Sequence, residues 1–266
     1  MKIPALFAAG LPFVSPALAD GARSGHAEAA LVCATDSYQP GKPVPLGIVL
    51  KIDAGWHSYW INPGVGGMPL SVEWTLPDGW TAGELGQPVP KRFMTGDLPG
   101  FGYEGEAVYR VDLTPPADAR GDAEVKVEVS WLTCSDDACV PGKVELALKL
   151  PAGDAAAGSG AKVVEEAGRK VPRPLAAADA TVGEKDGRVV VTFTAPPELD
   201  FTGSQAFPAT PEVMDAAAPV TLEKGEQGWT ASAPKNEYAS GPVTVCDLVF
   251  AGGKLPHPVL VSARTK

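Results

Sequence analysis

The sequence is poor in the side chains that metal and acid–base chemistry most often use. It has 3 histidines, 4 methionines and 4 cysteines in 266 residues. His26, His57 and His257 stand far apart, so nothing in the chain has the spacing of a metal-binding motif. Basic residues are outnumbered, 22 against 32 acidic, giving a formal charge of −10 with the acids scattered along the chain. That balance argues against nucleic acid and against an anionic membrane surface as partners. There is no G-x-S-x-G, no Gly-rich phosphate loop and no H-E-x-x-H, which leaves hydrolase and nucleotide-dependent readings without support. No repeat recurs at a fixed period. Beyond the first twenty residues, no apolar run is long enough to span a bilayer.

Those first twenty residues, "MKIPALFAAGLPFVSPALAD", have an early lysine, an apolar stretch and an Ala17-Leu18-Ala19 ending. This is the pattern of a secretory signal over residues 1–19, with the processed chain starting at Asp20. A membrane anchor is the alternative, but the run is short and broken by Pro12 and Pro16. The expected product is exported and soluble, about 245 residues long, enough for one large domain or two small ones. Export places Cys33, Cys134, Cys139 and Cys246 in an oxidising compartment, where three pairings are open to them. A chain of this size builds a core large enough to fold without disulfides, so a bridge here is free to serve another purpose.

What is abundant is turn chemistry, with 30 glycines and 27 prolines. They separate short runs rich in Val, Leu and Thr, which points to an all-β protein. In "AEVKVEVSWLTC", Val125, Val127, Val129 and Trp131 share one parity and Lys126, Glu128 and Ser130 the other. "GEAVYRVDLTPP" places Ala107, Tyr109, Val111 and Leu113 together, and "KVELALKLP" does the same with Val144, Leu146, Leu148 and Leu150. Period two in successive runs is the signature of half-buried antiparallel sheets, and a β-sandwich over 28–151 follows. Residues 152–175 read as a connector: small residues, a short helix over Ala161–Lys170, then Pro172 and Pro174. From 176 to 266, runs such as "GRVVVTFTAP" and "GPVTVCDLVFAGG" read as a second, smaller sandwich.

The segment "WLTCSDDACVPG" carries the chemistry. Cys134 ends one strong strand and Cys139 stands just before the next, so a tight antiparallel connection brings them within the Cα separation a disulfide needs. A loop this short gains only about 2 kcal/mol from closure, whereas a Cys33–Cys246 bridge could contribute roughly 5 kcal/mol in the same model. If one pair is structural, it is expected to be Cys33–Cys246. Asp136 and Asp137 set negative charge beside the thiols, and the loop holds no Lys, Arg or His. Neither cysteine is therefore activated locally, and the pair suits attack by a partner's thiolate. An inert hairpin disulfide remains the alternative, and C-x4-C is not a common zinc spacing. Two further stretches stand out. "GWHSYWINPG" packs Trp56, His57, Tyr59 and Trp60 at one strand end, where a lone histidine is commonly a hydrogen-bonded sheet residue. "PGFGYEGE" is a Gly-rich loop carrying Phe101 and Tyr103, either a plain turn or a mobile aromatic flap over a reactive sulfur.

As a set, "PGKPVPLGIVLKIDAGWHSYWINPGVGGMPLSVEWTLPDGW", "GYEGEAVY" and "WLTCSDDACVPG" resemble the periplasmic N-terminal domain of the DsbD family of thiol:disulfide interchange proteins. The similarity is greater to the longer ScsB-type variant, where a second β domain follows a segment like "AKVVEEAGRKVPRPL" and carries a motif similar to "AFPATPEV". The resemblance implies two immunoglobulin-like sandwiches joined by the helical, Pro-rich connector. It implies that Cys134 and Cys139 are a redox pair, reduced by a membrane thiol reductase or thioredoxin-like partner and then reducing periplasmic disulfide proteins. By position, Cys139 would bond to partners. Tyr59 and His57 match aromatic positions near the sulfurs, while Phe101 and Tyr103 fall in the family's cap loop. No cofactor and no metal is implied. Full-length members continue into a multi-helix membrane domain and a thioredoxin-like domain; neither is found here, so the expectation is either that the electrons come from a separate membrane protein or that the pathway is lost. Cys33 and Cys246 lie outside the family pattern, as a private interdomain staple or as single thiols. A rival expectation is a non-redox scaffold with a structural disulfide, linked through the ScsB-type likeness to copper stress tolerance.

Overall fold

The structure is a computed structural model that describes residues 21–175 and 179–266. The expected signal over residues 1–19 lies outside the described residues. The first part of the chain forms β1 (Ala22–Ser24), β2 (Ala27–Cys33), β3 (Val44–Ile52), β4 (His57–Gly64), β5 (Ser71–Thr75) and β6 (Thr81–Ala82). It continues with β7 (Lys91–Thr95), β8 (Leu98–Glu104), β9 (Glu106–Thr114), β10 (Ala123–Cys134) and β11 (Cys139–Leu150). These strands make two antiparallel sheets, one in the order β1-β2-β3-β9-β6 and the other β11-β10-β4-β8-β7, with β5 also paired to β10.

The alternation explains how the sheets meet. Val125, Val127, Val129 and Trp131 of β10, with Ala107, Tyr109, Val111 and Leu113 of β9, are all buried. They face Leu46, Ile48 and Leu50 of β3 in one hydrophobic core. Leu146, Leu148 and Leu150 complete it from β11, while Val144 is only partly buried. Period two puts one side of each strand in the core and the other on the outer face, and this sets the location of the cysteines.

The connector is not a free tether. Thr35 bridges to Ala157, Tyr38 to Ala152, and the Gly158 amide donates to the Ala34 carbonyl. Helix α1 (Ala161–Lys170) then lays Val164 and Ala167 onto the outer face of the first sheet, Val164 meeting Val32 and Val49. Beyond it come β12 (Arg173–Pro174), β13 (Thr181–Lys185), β14 (Arg188–Phe193) and β15 (Gln205–Pro208). The last strands are β16 (Thr221–Gly225), β17 (Gly228–Pro234), β18 (Val245–Ala251) and β19 (Val259–Arg264). They pair in the order β15-β18-β19-β13-β14-β17-β16, with β12 parallel to β19. β13 joins β19 through the single pair Thr181–Arg264, so the array folds into two layers around a core of its own. Val189, Val191, Phe193 and Ala231 come from one layer, Leu248, Phe250, Val259 and Val261 from the other. The protein is all-β, built as two sandwiches.

Of the two readings left open for Cys33 and Cys246, an interdomain staple or single thiols, the structure has the second. Both thiols are free and buried, Cys33 in the first core and Cys246 in the second. The strand parity that buries each one also points it into its own sandwich. Burial pushes the Cys33 thiol up and, with Asp247 nearby, the Cys246 thiol up to about 12.

Candidate functional site

β10 and β11 pair residue for residue over their full lengths, and the last pair is Cys134 with Cys139. Their Cα atoms lie 4.1 Å apart, the close spacing of a pair between the ladder hydrogen bonds, and a disulfide joins them. The Ser135 amide donates to the Ala138 carbonyl at 2.8 Å. Ser135 Oγ accepts from the Asp137 and Ala138 amides, both at 3.3 Å, which fixes the turn. The two sulfur-bearing residues are unequal: Cys134 has no exposed surface, whereas Cys139 is exposed.

Parity puts Cys134 opposite to Trp131 and Val129, on the outer face of its sheet. Something on that face must therefore cover it. Directly across the sheet, Cys134 pairs with His57 of β4, and His57 pairs with Glu104 of β8. Side chains at directly paired positions stand side by side, so Cys139, Cys134, His57 and Glu104 form one row. His57 is itself buried. Its Nε2 lies 3.2 Å from Tyr59 Oη and 3.0 Å from Thr95 Oγ1. The Phe93 ring packs 4.1 Å from the imidazole and 5.7 Å from the Tyr59 ring, between centroids. Gly100 and Gly67 leave the room: a Cβ at Gly100 would run into Phe93, and one at Gly67 into Tyr59. The result is a layer of His57, Tyr59, Phe93 and Thr95 beside Cys134.

Burial holds the His57 imidazole below its ordinary value, although Glu104 and Asp136 act to raise it. Burial also raises the Tyr59 phenol, partly offset by its bond with Thr95. The site is thus neutral rings and hydroxyls, with the exposed carboxylates Asp136 and Asp137 at the tip. Among the described residues, no group of three or more His, Cys, Asp or Glu side chains could hold a metal ion.

Phe101 and Tyr103 are not in this layer. The structure turns both inward: they have the opposite parity to Glu104 on β8 and lie buried in the first core. Phe101 stands edge-on to Trp60 at 6.3 Å, and Tyr103 Oη donates to the Pro88 carbonyl at 2.8 Å. Phe93 and Thr95 take the place expected of them. Both belong to β7, which pairs with β8 through Phe93–Gly100 and Thr95–Leu98. Sequence reasoning passed over "KRFMTGDLPG", although Phe93 and Thr95 flank Met94 at period two before a Gly-Asp turn.

On or beside the β7–β8 hairpin, Val65, Met68, Met94 and Leu98 are exposed apolar side chains, Met94 at 56 % exposure. Val65 donates its amide to the Pro99 carbonyl, Met94 pairs with Pro99, and Pro69 bridges to Tyr59, so these residues adjoin. Clustered exposed side chains of this kind mark contact surfaces more often than chance exposure does.

Comparison with known proteins agrees with this geometry. The solved structure of the N-terminal periplasmic domain of ScsB from Proteus mirabilis superposes with a TM-score of 0.68 at 18% identity, covering 94% of this chain and 99% of that one. At that identity the likeness is one of fold. The comparison with curated protein sequences found no match. Residues 28–151 match the family described as thiol:disulfide interchange protein DsbD, N-terminal, and that segment, with the disulfide at its hairpin tip, is a DsbD N-terminal-like domain.

Proposed function

We propose that the protein is a thiol–disulfide exchange module working in the periplasm, where Cys134–Cys139 passes electrons between protein partners. The observation that carries this is the unequal exposure of the two bonded cysteines, Cys134 buried and Cys139 exposed at the hairpin tip. A partner thiolate reaches Cys139 and attacks its sulfur. The Cys134–Cys139 bond breaks, its electron pair leaves on Cys134 as a thiolate, and a mixed disulfide joins Cys139 to the partner. The partner's second thiolate then attacks its own bonded sulfur and expels Cys139. The module is left as a dithiol, two electrons richer, and the partner as a disulfide. In the reverse sequence, the reduced pair delivers those two electrons to a substrate disulfide. The location is supported by the likeness to a periplasmic domain and by the signal-like first residues. The electron donor consistent with the family is a thioredoxin-like protein or a DsbD-type membrane thiol reductase, and the acceptors are periplasmic disulfide proteins.

Two measurements test this. A midpoint potential for Cys134–Cys139 above about −300 mV is expected; a value well below that marks a structural bond and overturns the proposal. Trapping is expected to be asymmetric. Cys134→Ala leaves the exposed Cys139 thiolate, which attacks a partner's disulfide and expels one partner thiolate, so mixed disulfides with disulfide-bearing partners should accumulate, whereas Cys139→Ala leaves a buried sulfur and should trap several-fold less. Equal trapping by the two variants would contradict the assigned roles.

A further inference from the structure

The segment "AFPATPEV", residues 206–213, takes no part in the exchange chemistry, yet it lies where the two sandwiches meet. Phe207 is buried, belongs to the core of the first sandwich and stands edge-on to Phe101 at 6.3 Å. Arg92 of β7 lies over both rings, its guanidinium carbon 4.8 Å from the Phe101 centroid and 5.8 Å from that of Phe207. Its Nη1 donates to the Ala216 carbonyl at 2.8 Å. A second tie is parallel to it. The buried Asn62 of β4 donates through Nδ2 to the Pro208 carbonyl at 2.7 Å, while its Oδ1 accepts from the Gly64 amide.

Strand alternation gives these ties their meaning. Arg92 and Phe93 are neighbours in β7 and project to opposite faces. Arg92 reaches the second sandwich; Phe93 covers His57 beside the disulfide. Asn62 likewise fixes the turn at Gly64, next to Val65, whose amide holds the Pro99 carbonyl of the same β7–β8 hairpin. An apolar side chain could fill the junction without desolvating a charge. What a guanidinium adds is a directional, charge-assisted bond across it, together with flat contact on two rings.

We propose that the second sandwich is a brace for the disulfide face: the segment from Phe207 to Ala216, acting through Arg92 as a positioning residue, holds the β7–β8 hairpin against His57 and Tyr59. The bearing of this brace on electron transfer rests on the function proposed above; the brace itself does not. The test is Arg92→Ala in the full chain, read by hydrogen exchange at the amides of residues 93–98 and by NMR titration of the His57 imidazole. Exchange there is expected to quicken about tenfold, with β14, β18 and β19 unchanged. As Phe93 and Thr95 lift and water returns, the His57 titration should rise toward the ordinary imidazole value. The charged groups acting on His57, Glu104 of β8 and Asp136 of the turn, are present in both proteins and do not account for the difference. Unchanged exchange at residues 93–98, or faster exchange spread evenly through both sandwiches, would overturn the brace. Should Arg92→Ala fail to fold, Phe207→Leu, which keeps apolar volume but removes one ring, decides by the same readings. Neither reading depends on sulfur chemistry, so failure of the brace is distinguishable from failure of the exchange function.

Discussion

At the scale of single residues, the site works by exposure more than by charge. Cys139 is reachable and Cys134 is not, and the neutral imidazole beside Cys134 offers no fixed positive charge to activate it. His57 also gives the protein a pH dependence whose direction can be worked out. Its pKa is lower when folded than when unfolded, so below the ordinary imidazole value the unfolded chain binds a proton that the folded chain refuses. Stability from this residue is therefore complete above about pH 6.5 and falls as the pH drops toward the folded value. The urea midpoint is expected to decrease between about pH 7.5 and pH 5.5, and to decrease less in His57→Gln. The acids give a later loss of the same sign. Asp200, held down to about 2 by Thr202 and Lys254, gives up its share only in much stronger acid. The imidazole was visible in the sequence as a candidate; its burial was not, because the residues that cover it come from β7, far along the chain.

At the scale of elements, the β10–β11 hairpin supplies a rigid frame whose disulfide contributes little to it. Eleven residue pairs hold the strands together before the sulfurs are reached. Closure of so short a loop gives about 2 kcal/mol at most in the chain-entropy model. Reduction is therefore expected to lower the unfolding free energy by no more than that and to leave the dithiol form folded, as denaturation with and without reductant will show. The exchange proposed above requires this, since both redox states must keep the fold. Strand alternation made this hairpin legible: Val125 to Trp131 defined the inner parity and so put Cys134 on the outer face. β7 was harder to see. It is a five-residue edge strand with Lys91 and Arg92 among its members, and its identity depends on pairing with β8 and on the rings it covers. Phe101 and Tyr103 carried the stronger aromatic signal, but parity along β8 sends them into the core.

At the scale of the whole molecule, the two sandwiches share more than a linker. Phe207, Ala216 and Val249 from the second part of the chain belong to the hydrophobic core of the first. Interfaces between domains are usually polar and permit relative motion. This one includes core side chains and the Arg92 and Asn62 bonds, so unfolding is expected in a single transition. Tryptophan fluorescence reports mainly the first sandwich, through Trp56, Trp60, Trp74, Trp80 and Trp131, and far-ultraviolet circular dichroism reports both. Coincident midpoints from the two are the expected outcome, and two separated steps would contradict it. Among the described residues, no helix is long and apolar enough to cross a membrane. The sequence by itself determined the all-β class, the inner parity of the strands, the helix at Ala161–Lys170 and the closeness of Cys134 to Cys139, because all of these depend on neighbours within one or two strands. Only the tertiary structure decided that Cys33 and Cys246 stay apart, that Phe93 and Thr95 line the site, and that the second sandwich grips β7. Each of those depends on contacts between residues distant in the chain, where side-chain direction and packing, not local pattern, determine who meets whom.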